Sequence, residues 1–187
     1  MRYNRLTILA AMLCLLGSGC IFSPAKGKGG GPPPPEPYLP LFSPEAVLRN
    51  LASAYKHRDT AEYDTLFDTA YTGTTIDQSN PDSIKQYSFA KADEVAHIWG
   101  LSRTTTITAI ELELSPALPR FTDGGDPAGW AMIQNPISSL SILDGDNTYY
   151  IKRDTETIEF HFKPKTPDAS SPTDTTWTIA SWKEIRI

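Results

Sequence analysis

The hydrophobic period of this chain changes at Leu101, from helical spacing to simple alternation, and that change restricts the folds open to it. Ahead of it, Ser43-Pro44-Glu45 reads as a helix start. Ser43 can accept from an orphan N–H, proline suits the first helical position, and an acid sits near the positive end of the dipole. Val47, Leu48, Leu51, Ala52 and Tyr55 then form one stripe, with Arg49, Lys56 and Arg58 mostly off it. Asp59 to Glu62 repeats the start signal ahead of Tyr63, Leu66 and Phe67, predicting a short second helix. After a polar stretch containing Asn80-Pro81, the segment from Phe89 to Leu101 predicts a third helix, with Phe89, Ala92, Val95, Ala96 and Trp99 on one side.

Beyond Leu101, Thr104 to Ser115 alternates Ile110, Leu112 and Leu114 with Glu111 and Glu113, the pattern of a half-buried strand. Ile137 to Leu143 and Tyr149 to Arg153 flank Asp144-Gly145-Asp146-Asn147, which suits a hairpin turn. Ile158, Phe160 and Phe162 share a face opposite Glu159, His161 and Lys163. In the last strand, Thr175 to Ile187, Trp177 and Ile179 are in phase with Ile185 and Ile187; Trp182 is out of phase and marks a bulge or a second packed face. Helices followed by strands predict an α+β class, with N-terminal helices packed against a curved, mostly antiparallel sheet.

The N-terminus has a different destiny. Arg2 and Arg5 precede about ten apolar residues, Leu6 to Leu16, too few to span a bilayer, which takes about 20. Gly17-Ser18-Gly19-Cys20 follows, and this combination resembles the bacterial lipoprotein signal, in which cleavage before the cysteine is coupled to its lipidation. That resemblance implies a signal peptide over 1–19 and a lipid-anchored Cys20, with Gly17 where the signal usually has leucine. The alternative is a plain secreted protein with an incidental thiol. Ile21 in place of an inner-membrane retention aspartate implies the outer membrane in a Gram-negative envelope. The glycine and proline runs up to Pro40 form a spacer, so 20–42 reads as a tether and 43–187 as one domain.

Of the two cysteines, Cys14 leaves with the signal, so the remaining chain cannot form an internal disulfide or a cysteine-rich metal site. The net charge of −5 becomes more negative once Arg2 and Arg5 are removed, which argues against nucleic acid as a partner.

The Ser43 to Leu48 helix, the AYKHRDTAEYDTLF step at Ala54 to Phe67 and the closing WTIASW at Trp177 to Trp182 resemble the nuclear-transport-factor-2-like superfamily, including SnoaL-like domains. The resemblance implies a cystatin-like cone, a curved sheet wrapped around a long helix with a pocket at its open end. That superfamily holds isomerases, cyclases and dehydratases that use Asp, His or Tyr in the cone, beside members that only bind or assemble.

For chemistry of that kind the sequence offers Asp93 and His97, four apart on the third helix, with Tyr87 just before it. The same pair is also ordinary helix-surface chemistry. His161 alternates with the phenylalanines, His57 suits the negative end of the first helix, and the three histidines show no metal-ligand spacing. Asp123 and Asp126 around Gly124-Gly125, like Asp144 and Asp146 around Gly145, are better turns than calcium loops. Tyr63, Tyr71, Tyr87, Trp99, Trp130, Tyr149 and Tyr150 can line a pocket or fill a core. The expectation is an envelope protein anchored through Cys20, with no cofactor and no metal, whose domain binds a small apolar ligand or another envelope protein. The rival is a cofactor-independent isomerase or hydro-lyase using Asp93, His97 and Tyr87.

Overall fold

Residues 38–80, 82–151, 156–165 and 175–186 are described by a computed structural model. The signal segment, Cys20 and the glycine and proline runs lie outside the described residues, as do Arg153 and Ile187. Helix α1 (Pro44–His57) starts as its sequence requires: Ser43 Oγ accepts from Ala46 N at 3.1 Å. It ends where Arg58 turns left-handed at φ 56° and donates its N–H to the last carbonyls. Val47, Leu48, Leu51, Ala54 and Tyr55 are buried, with Val47, Leu48 and Leu51 each contributing about 1.5–3 kcal/mol of burial free energy. In the short α2 (Thr60–Thr65), Asp59 Oδ1 accepts from Glu62 N at 3.1 Å, and Tyr63 points into the core.

The chain then departs from the expected order. Strands β1 (Phe67–Asp77) and β2 (Lys85–Ala90) form an antiparallel hairpin before helix α3 (Lys91–Arg103), in the stretch read from sequence as merely polar. Phe89 therefore lies on β2, not on the third helix, and is exposed. The apolar side expected for α3 is also shifted. Ile98 is its buried residue, while Trp99 is 51% exposed and carries the Arg103 guanidinium 4.2 Å above its ring.

The remaining strands are β3 (Ile107–Leu114), β4 (Arg120–Phe121), β5 (Ala131–Gln134), β6 (Ile137–Asp144), β7 (Asn147–Ile151), β8 (Glu156–Pro164) and β9 (Trp177–Arg186). They complete a six-stranded sheet, β2-β1-β9-β8-β5-β4, and a three-stranded sheet, β3-β6-β7. All pairings are antiparallel except β1 with β9, which joins residues 67–77 to residues 179–186. The hairpin turn is where it was expected, with Asp144 paired to Asn147 and Gly145 at φ 58°. Helix α1 packs against both β3 and β9, so the domain is α+β with its helices on a curved, mostly antiparallel sheet.

Two details of this frame position the site. Ala180 is skipped in the β8–β9 ladder, where Phe162 pairs with Ile179 and His161 with Ser181, so a bulge reverses the phase of β9. At the other end, residues 38–42 are fastened to the domain. The buried Asn50 side chain accepts from Leu39 N and donates to Leu39 O, both at 2.9 Å, and donates to Glu62. Tyr38 donates to Asp59, and Trp177 N donates to Leu41 O. No helix among the described residues is long and apolar enough to cross a membrane.

Candidate functional site

Between the helices and the concave faces of the sheets lies an open cavity of about 600 Å³. Its apolar wall comes from Leu112 on β3 and from Leu140 and Ile142 on β6. Tyr55 and Tyr63 of the helices and Trp182 of β9 also line the cavity. The β1 side is made of Gly73, Thr74 and Thr75, small residues that leave the volume open. A volume of this size, mostly apolar with a few polar groups, is that of a small-molecule site.

Glu94 of α3 is the central polar group. Its carboxylate accepts from the Tyr71 hydroxyl at 2.9 Å and from the Tyr63 hydroxyl at 3.4 Å. Burial raises its pKa even though both phenols oppose the shift by bonding the charged form. The phenols in turn are held above their ordinary range, first by burial and then by the negative charge of Glu94. Gly73 makes this bond possible: a Cβ there would come within 2.7 Å of the Tyr71 hydroxyl and 3.1 Å of Glu94 Oε1. Tyr63, Phe67 and Tyr71 support the group from below, with ring centroids 4.9 and 4.8 Å apart in succession.

Glu184 of β9 is the second carboxyl of the cavity, bonded by Thr75 Oγ1 at 3.3 Å. Burial raises its pKa, and Glu156 next to it raises it further. It faces inward because of the bulge: beyond Ala180, Trp182, Glu184 and Arg186 take the cavity side of β9. The out-of-phase Trp182 was the sequence signal for that bulge, and the same reversal brings in Glu184. Trp182 Nε1 is buried with no hydrogen-bond partner among the described residues.

Of the residues singled out from sequence, Asp93 and His97 both line the cavity, at its exposed rim. They do not act on each other. Asp93 Oδ2 accepts from Ala90 N at 2.8 Å, tying down the start of α3, and His97 Nε2 lies 2.9 Å from the Tyr55 hydroxyl. Loss of hydration lowers the His97 pKa. Tyr87 stands on β2, 49% exposed, and is not part of the cavity wall. Trp99, Tyr149 and Tyr150 are also exposed, whereas Tyr63 and Tyr71 are buried around Glu94.

The other histidines have local partners. His57 Nδ1 lies 2.9 Å from the Ser53 carbonyl within α1. His161 is buried on β8 and its Nδ1 is 2.6 Å from Asp126 Oδ2. With Asp123 this pair is a grouping that could hold a metal ion, but Asp123 Oδ1 already accepts from Gly125 N in the turn expected there.

No family model matches the chain, and no curated protein is similar to it in sequence. Solved structures are similar in fold. A conserved protein from Planctomyces limnophilus superposes with a TM-score of 0.52 at 11% identity, covering 76% of this chain and 92% of that one. ActVI-ORFA from Streptomyces coelicolor gives 0.49 at 9% identity over 76% and 92% of the two chains. An NTF2-like protein of unknown function from Pseudomonas putida gives 0.46 at 12% identity over 75% and 82%. The likeness is one of architecture, the cone of helices and curved sheet that the nuclear-transport-factor-2-like resemblance implied.

Proposed function

We propose that this protein is a lipid-anchored cell-envelope protein whose cone binds a small molecule with an apolar body, without transforming it. The cavity carries this reading: about 600 Å³, open to solvent, walled by leucine, isoleucine and aromatic rings, with its polar groups gathered on one side. Anchoring rests on Cys20 behind its signal-like segment. Two acyl chains on one residue supply the two signals that stable membrane attachment needs. Outer-membrane placement follows from Ile21 in a Gram-negative host.

Two measurements test this. Cys20→Ser moves the protein from the membrane to the soluble fraction; an unchanged distribution defeats the anchor. Binding of a naphthyl compound measured by calorimetry, weakened when Leu140→Trp narrows the cavity, supports the binding site. Equal affinity in that variant places the compound elsewhere.

Proton transfer is the second reading, favoured by one observation: His97, with its lowered pKa, is bonded to Tyr55 on the same cavity as the protonatable Glu94. It replaces the Asp93, His97 and Tyr87 set expected from sequence with Glu94, His97 and Tyr55. If it holds, deuterium from solvent enters the methyl group of 2-acetylnaphthalene faster with the protein than without it, and Glu94→Gln abolishes the gain. Absence of exchange supports binding alone.

A further inference from the structure

The charge balance of the cavity specifies its ligand further than its size does; this step rests on the cone being a binding site. Glu94 and Glu184 line the cavity, the charge of Glu94 reaches Glu184, and Asp93 stands at the rim. Behind Glu184, on β8, Glu156 faces Arg186 across the β8–β9 ladder. Arg186 is the one cation lining the cavity among the described residues, and its charge is already divided. Its Nε is 3.2 Å from Glu156 Oε1, and a terminal nitrogen is 4.0 Å from Glu184 Oε2. The second Glu156 oxygen is buried with no hydrogen-bond partner among the described residues. Nearby lysines are engaged outside the cavity, Lys183 with Glu159 and Lys91 with Asp64.

Carboxylates withdrawn from water without a counter-charge are unfavourable, and Glu156 and Glu184 share one guanidinium while Glu94 pairs with no cation among the described residues, which leaves negative charge uncompensated. The tyrosine hydroxyls on Glu94 and the threonine hydroxyl on Glu184 bond the anions without neutralising them. What this wall lacks is positive charge. Phe89 and Trp182 are aromatic residues of the wall, and aromatic faces also attract cations. An anionic ligand would meet Asp93, Glu94 and Glu184 as like charges.

We propose that the cone takes an organic cation: an amine on an apolar body, its ammonium group on the Glu94 and Glu184 side and its body against Leu112, Leu140 and Ile142. Charge on the ligand, not its size, then sets affinity.

Three compounds with one ring system test this on the full chain by isothermal titration calorimetry: 2-naphthylmethylamine, 2-naphthylmethanol and 2-naphthoate. The amine is expected to bind at least about tenfold more tightly than the alcohol, and the carboxylate most weakly. Glu184→Gln and, separately, Glu94→Gln shrink the ratio of amine to alcohol affinity, with circular dichroism confirming that each variant is folded. If one variant does not fold, the other decides. Alcohol or carboxylate binding as tightly as the amine overturns the cation while leaving the binding site intact. If none of the three binds, the binding reading falls with it. A ratio unchanged in the folded variants, or magnesium chloride displacing the amine at matched ionic strength, also overturns the proposal.

Discussion

Gly73 is the residue on which the polar end of the cavity depends. The methyl group of Gly73→Ala would push against the Tyr71 hydroxyl and Glu94 Oε1 together, in a place where both are held by each other. Overpacking of this kind costs about 1–3 kcal/mol, so the urea midpoint of the variant is expected to fall. An unchanged midpoint would mean that the carboxylate has room to retreat. Glu94 and Glu184 also predict a pH dependence. Because burial raises both above their ordinary 4.5, the folded chain holds protons that the unfolded chain releases. Stability therefore declines as pH rises from about 4.5 through the raised values, and Glu94→Gln with Glu184→Gln flattens that decline in melting temperature. Glu45 works in the opposite direction. Its bidentate bond from Arg120 lowers it to about 2, so what it contributes is lost as pH falls from 4.5 towards that value. Asp93 at the rim was legible in the sequence, but neither Glu94 nor Glu184 was. Glu94 looks like one more charge on a solvated helix face, and Glu184 looks outward until the Ala180 bulge reverses its strand. The helix caps at Ser43 and Asp59 were legible because capping chemistry is complete within four residues.

Among the elements, β1 and β2 escaped the sequence reading for a physical reason. A strand that faces packed side chains alternates apolar and polar residues, but β1 faces an open cavity with Gly73, Thr74 and Thr75, so the alternation is missing. Every residue of β2 is exposed, which removes the signal from its other half. The strands that cover the core, β3 and β8, were readable from Ile110, Leu112, Ile158 and Phe160 because they are buried there. Helix α1 carries a further prediction through Asn50, whose amide holds both backbone groups of Leu39. Asn50→Ala leaves those groups without their partners and is expected to cost about 1–3 kcal/mol. The check is amide hydrogen exchange at Leu39, which should become fast; retained protection would show that Tyr38 and Leu41 hold the segment unaided.

At the scale of the whole molecule, the cone is closed by one parallel pairing. Strand β9 sits between β1 and β8, so removing it separates the β1–β2 hairpin from the rest of its sheet. A chain ended at residue 176 is expected to lose its cooperative unfolding transition and its near-ultraviolet dichroism; a sharp transition in that chain would assign the core to the remaining strands. The pairing also has a consequence in time. It bridges a sequence separation of more than a hundred residues, and contacts of such length form late and slowly. The strand that completes the sheet is therefore the last to find its place, and until it pairs, β1 has only β2 beside it.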